Sequence, residues 1–147
     1  MANPRSTASI GGHPVHPMIV PFPIAFFAAT FICDLLFLFT DQSGWVSMST
    51  WLLGTGLIMG AFAAVLGFID VAGDAQIRSL ADVWLHAGGN VCAVLLQIYN
   101  WYLRYEYGAS VVLPTGLILS LLVLLILMFT ARKGWRLVYH HRVGVTE

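Results

Sequence analysis

Four predominantly apolar stretches, 18–40, 51–71, 83–103 and 109–131, leave a chain of 147 residues little freedom in what it can become. A helix needs about 20 residues to cross roughly 30 Å of hydrocarbon, and each stretch supplies them. Hydrophobic residues make up 59% of the chain and charged ones 10%. The mean hydropathy is +0.81. That is too little polar surface to cover a soluble globule. The reading predicts an all-α integral membrane protein, one domain over 1–147, built as a four-helix bundle. Its short connections make sequential helices antiparallel neighbours. The first stretch lacks a basic segment before a short apolar core and carries Pro21, Pro23 and Asp34, so it is expected to stay as a span.

An even number of spans gathers both termini and the 72–82 connection on one side, with Arg5, Arg78, Arg132, Lys133, Arg136 and Arg142. Arg104 is assigned alone to the other side. The positive-inside rule then predicts cytoplasmic termini in a bacterial inner membrane. Trp45, Trp51, Trp101 and Tyr102 fit an aromatic belt at the far interface, Trp84 and Trp135 one at the near interface. The basic tail, 132–147, suits anionic headgroups. Zero net charge without a basic face excludes nucleic acid as a partner. The expected partners are the bilayer and, beyond it, redox proteins or a second copy of the chain. Cys33 and Cys92 read as buried thiols. Gly56 and Gly60, extended by Ala64, form a small-residue face expected to pack on a neighbouring helix.

The most specific string precedes the first span: Gly12-His13-Pro14-Val15-His16-Pro17. Proline disfavours the helical region for the residue before it. An extended segment is therefore predicted over 12–23, with the first helix opening around Pro23. In a polyproline ribbon two imidazoles three residues apart project from one side, about 9 Å from each other.

Polar residues within spans are costly in lipid, so they mark where function is to be sought. Near the termini lie Asp70, Asp82, His86 and Asn90, joined from the ribbon by His13 and His16. Arg78, Asp82, His86 and Asn90 are spaced by four, one stripe on a helix. A second layer, nearer the far side, holds Asp34 with Thr55, Gln97, Asn100 and Ser120. It reads as a polar clamp between helices or as one station of a proton path.

The His-Pro run through Met18-Ile19-Val20-Pro21-Phe22-Pro23-Ile24, an aspartate in the first span, Gly67-Phe68-Ile69-Asp70 and Leu85-His86-Ala87-Gly88-Gly89-Asn90 together resemble a bacterial family of small four-helix membrane proteins, domain of unknown function 2231. The resemblance covers nearly the whole chain. It implies fold and location, and a signature of His13, His16, Pro17, Asp34, Gly67, Asp70, His86 and Asn90. Some related sequences are joined to Rieske-type iron-sulfur domains, which implies redox company.

Three readings of the near layer follow. In a structural one, His13 and His16 orient the entry ribbon and His86 bonds Asp70. In a metal site, His13, His16, His86 and Asp70 are ligands, with Asp82 orienting His86. In a b-type haem site, His16 and His86 are axial ligands and His13 supports them. Gly67, Gly88 and Gly89 would then give the porphyrin space, and Arg78, Arg132 or Lys133 would meet its propionates. Haem or a transition metal in an electron-transfer role is the favoured specific function. A structural or complex-forming subunit is the alternative, and a proton-coupled transporter the third. No nucleophile, base and orienting group stand together, so an enzyme is not expected.

Overall fold

A computed structural model describes residues 3–145. It opens with a small hairpin in which β1 (Ser9–Ile10) pairs antiparallel with β2 (His13–Pro14), Ile10 opposite His13. Gly11 and Gly12 turn it with φ of 57° and 82°, a region open to residues without Cβ. The extended chain ends there. α1 (His16–Ile19) and α2 (Pro21–Thr40) follow, so the extended segment expected over 12–23 stops at Pro14. The physical reason lies in where the prolines fall. Pro17, Pro21 and Pro23 all occupy first helical turns, whose N–H groups have no intrahelical acceptor in any case. Val20 takes φ −51° and ψ −36° although Pro21 follows it, so packing overrides its local preference.

Asp41, left-handed at φ 53°, closes α2 with its N–H on the Phe37 carbonyl. α3 (Ser43–Gly73) begins two residues later. Asp74 then caps the short α4 (Ala75–Arg78) by accepting from the Gln76 N–H. α5 (Ala81–Tyr107) leads through Gly108 to α6 (Ala109–Val111), then a kink over Val112–Gly116 where Leu113 is extended (φ −120°, ψ 128°), and α7 (Leu117–Tyr139). Much of the tail predicted from residue 132 is thus the continuation of α7.

α2 packs most extensively on α3, and α5 on α7, making two hairpins that face each other across a seam. Each hairpin sends apolar residues into the centre: Phe27 and Leu53 from one, Ala93 and Val123 from the other. Gly56 is buried beneath the Phe27 ring, and Gly60 faces Val94 and Pro23, so this small-residue face packs within the chain. Ala64 is exposed and lies outside that contact. Of the two cysteines, Cys33 is buried as expected but Cys92 is exposed, on the outward side of α5.

The outside of the molecule is apolar and the inside partly polar. Phe39, Trp51, Phe62, Phe68 and Met128 are exposed, whereas Asp34, Ser49, Gln97, Asn100 and Ser120 are fully buried. That distribution suits a lipid solvent. Among the described residues Val15–Thr40, Ser43–Gly73 and Ala109–Tyr139 are long and apolar enough to cross a membrane. α5 matches them in length but carries the inward polar residues His86, Asn90, Gln97 and Asn100.

Candidate functional site: two polar layers along the seam

At the end of the seam away from the termini, a buried ion pair joins the hairpins. Arg104 grips Asp34 with two parallel bonds, Nη1 to Oδ1 at 2.8 Å and Nη2 to Oδ2 at 2.6 Å. Both side chains are wholly shielded from solvent. Ser49 accepts from Arg104 Nη1 at 2.6 Å, and Ser120 donates to Asp34 Oδ2 at 2.9 Å. Arg104 Nε donates to Asn100 Oδ1 at 3.0 Å, and Asn100 Nδ2 reaches Gln97 Oε1 at 3.1 Å and Ser120 Oγ at 3.2 Å. All four long helices contribute. The sequence reading placed Asp34 with Gln97, Asn100 and Ser120 but set Arg104 in the far loop. The correction follows from length: α5 runs to Tyr107, which carries Arg104 inside with its charge neutralised. Thr55, expected here, is exposed and bonds back to the Trp51 carbonyl.

The layer nearer the termini is built around two histidines held in matching cradles. His16 donates from Nδ1 to the Ala63 carbonyl at 2.8 Å, and its ring lies against Gly67, one turn further along α3. His86 donates from Nδ1 to the Thr130 carbonyl at 2.9 Å, and its ring lies against Gly134, one turn further along α7. A Cβ on Gly67 would stand 3.1 Å from His16 Cε1, and one on Gly134 would stand 3.0 Å from His86 Cε1. Glycine is what lets each ring settle on a helix backbone. A carbonyl can only accept, so Nδ1 carries the proton in both neutral rings and the lone pair is on Nε2. Asn90 Nδ2 lies 3.1 Å from His86 Nε2, and Thr130 Oγ1 donates to Asn90 Oδ1 at 3.0 Å. The two imidazoles face each other across the seam with centroids 6.3 Å apart and planes at 89°.

The other residues singled out from the sequence lie elsewhere. His13 is on the exposed hairpin. Asp70 Oδ1 accepts from Ser6 Oγ and the Ala8 N–H, both at 2.8 Å, so it anchors the N-terminal segment and does not bond His86. Asp82 binds Lys133 and His141 at 3.1 Å and Arg136 at 3.2 Å, tying the end of α7 to the start of α5 instead of orienting His86. The donors on Asp82, His141 first and then Lys133, hold its carboxyl below the ordinary range. Among the described residues no three His, Cys, Asp or Glu side chains converge as a metal-ligand set. Of the glycines expected to make room for a porphyrin, Gly67 is covered by His16, Gly89 by Thr130, and Gly88 faces outward. Arg78 caps the Val71 and Ala72 carbonyls at the end of α3.

A family described as "Predicted membrane protein (DUF2231)" matches residues 12–147. The chain belongs to that family. No curated protein and no solved structure matches it. The DUF2231 match takes in both histidine cradles and the whole Asp34–Arg104 network, while Ser6 and Ala8, which hold Asp70, precede it. Within this DUF2231 chain the sequence reading missed Arg104, Ser49, Thr130 and Gly134. The signal for Gly134 was present as a His-facing glycine four residues after a carbonyl partner, but that pairing exists only once the helices are docked.

Proposed function

We propose that this protein spans a bacterial inner membrane four times with both termini in the cytoplasm, and that His16 and His86 hold a redox cofactor between them for electron transfer. The observation that carries the reading is the matched pair of cradles. Each imidazole has Nδ1 fixed on a backbone carbonyl, the arrangement that orients histidines bound to metals through the other nitrogen. The two rings stand edge to face across the seam, with centroids 6.3 Å apart.

Ligand count favours haem b over a bare transition-metal ion, although the glycines expected to make room for a porphyrin do not, Gly67 being covered by His16 and Gly89 by Thr130. Haem iron needs only two axial donors, whereas a tetrahedral ion needs four, and neither His13 nor Asp70 stands with the pair. Haem would supply one-electron chemistry at this position. The chain's own contribution is to fix both rings, set their tautomers and keep the seam apolar below them, where Phe27, Leu53, Ala93 and Val123 close it. A structural reading is favoured by one observation: Asn90 already satisfies His86 Nε2, making a self-contained joint between α5 and α7.

The test is spectroscopic. Protein purified in detergent from cells supplied with haem and trace metals is expected to carry one haem or one metal ion per chain. His16→Ala and His86→Ala lose it, and His13→Ala keeps it. A colourless wild-type protein with no stoichiometric metal refutes the cofactor reading and leaves the structural one.

A further inference from the structure

Hydrogen-bond direction in the Asp34–Arg104 layer is fixed from one end. A guanidinium only donates, so Arg104 Nε requires Asn100 to present Oδ1, at 3.0 Å. Asn100 must then donate from Nδ2, which requires Gln97 to present Oε1, at 3.1 Å. Flipping the Gln97 amide would set two donors against each other, so its Nε2 is fixed as the far atom of the chain. That nitrogen is buried and has no hydrogen-bond partner among the described residues. Gln97 itself is 0% exposed. Donors therefore run outward from Arg104 through Asn100 to Gln97 and end on N–H groups that need an acceptor.

The surroundings define what that acceptor is. Asp34 and Arg104 neutralise each other, so the site has no net charge to attract an ion. The core beside it is apolar: Phe27, Leu53, Ala93 and Val123. We propose that Gln97 Nε2 holds an internal water molecule, which accepts the terminal N–H and makes the far layer a hydrated centre within the membrane core. A buried polar group without a protein partner is the kind of group that internal waters satisfy. This inference is independent of whether the histidine pair binds a cofactor.

Two measurements test it on the full-length protein in detergent micelles. The first is the transfer of magnetisation from water to the ¹⁵N-labelled Gln97 side-chain amide, with the resonance assigned by its loss in Gln97→Leu. A direct cross-peak to a water with a long residence time is expected, and its absence overturns the proposal. The second is the sign of the Gln97→Leu effect on thermal stability. Asn100 Nδ2 keeps Ser120 Oγ and the Gly116 carbonyl as acceptors in that variant. Removing a truly unsatisfied amide would therefore raise Tm, and a rise of about 3 °C or more overturns the proposal. An unchanged or lowered Tm is expected, because the substitution discards the bonds of a bound water.

Discussion

Removing one side of the Asp34–Arg104 pair tests whether this bond holds the two hairpins together. Arg104→Met keeps much of the side-chain volume but strands a carboxylate that is fully buried, with Ser120 Oγ left as its hydrogen-bond donor. It also takes from Asn100 Oδ1 and Ser49 Oγ the donor each receives from Arg104. Breaking a buried pair from one side costs about 3–5 kcal/mol, roughly two to nearly four orders of magnitude in the folding equilibrium. Replacing both partners, Asp34→Leu with Arg104→Met, removes the stranded charge and is expected to recover most of that loss. The assay is reversible unfolding by sodium dodecyl sulfate in mixed micelles, followed by tryptophan fluorescence. A double-mutant cycle over Asp34→Leu and Arg104→Met isolates the coupling. An Arg104→Met cost below about 1 kcal/mol, or a coupling energy within about 0.5 kcal/mol of zero, refutes the reasoning.

The remaining predictions concern packing, acid sensitivity and the histidine cradles. Gly56→Ala is expected to lose about 1–3 kcal/mol in the same unfolding assay, because its Cβ would stand 2.6 Å from Phe27 Cε1. Gly60→Ala, whose nearest neighbour would be Val94 Cγ2 at 3.7 Å, is expected to be neutral or to gain up to about 1 kcal/mol. Asp82 has a folded pKa depressed below the unfolded value of about 3.9, so its contribution is present above that pH and lost as pH falls through the folded value. Melting curves of Asp82→Asn are thus expected to lie below wild type at neutral pH and converge on it in acid. If the cofactor reading is right, Gly67→Ala and Gly134→Ala shift the absorption spectrum without abolishing binding, because each moves a ring by a few tenths of an ångström. Unchanged spectra in both variants would detach the cradles from the ligand.

The helices were legible because their signal is local. Charge-poor stretches long enough to span lipid needed no knowledge of partners; three of the four fall within helices long and apolar enough to cross a membrane, and the other falls within α5. Asp34 with Gln97, Asn100 and Ser120 was also legible, since depth along antiparallel helices follows from counting residues. Arg104 was not. A charge near a predicted boundary reads as loop until the helix is seen to continue past it, and Tyr107 is where α5 ends. The histidines were half legible. Counting brought His16 and His86 to one end, but the proline rule sent the whole segment 12–23 into an extended form, which tertiary packing overrode beyond Pro14, at Val20 among others. Their true partners are backbone carbonyls of Ala63 and Thr130, and no side-chain pattern announces a carbonyl.

The ion pair that locks the seam also sets an order of events at the ribosome. Asp34 precedes Arg104 by 70 residues. The first hairpin is therefore made while its acid has no base, and a lone carboxylate is costly in hydrocarbon. Its stable seating waits for α5 and α7 to arrive. A chain truncated after α3 should accordingly be a substrate for membrane quality control, and a separately expressed second hairpin should rescue it by delivering the missing guanidinium.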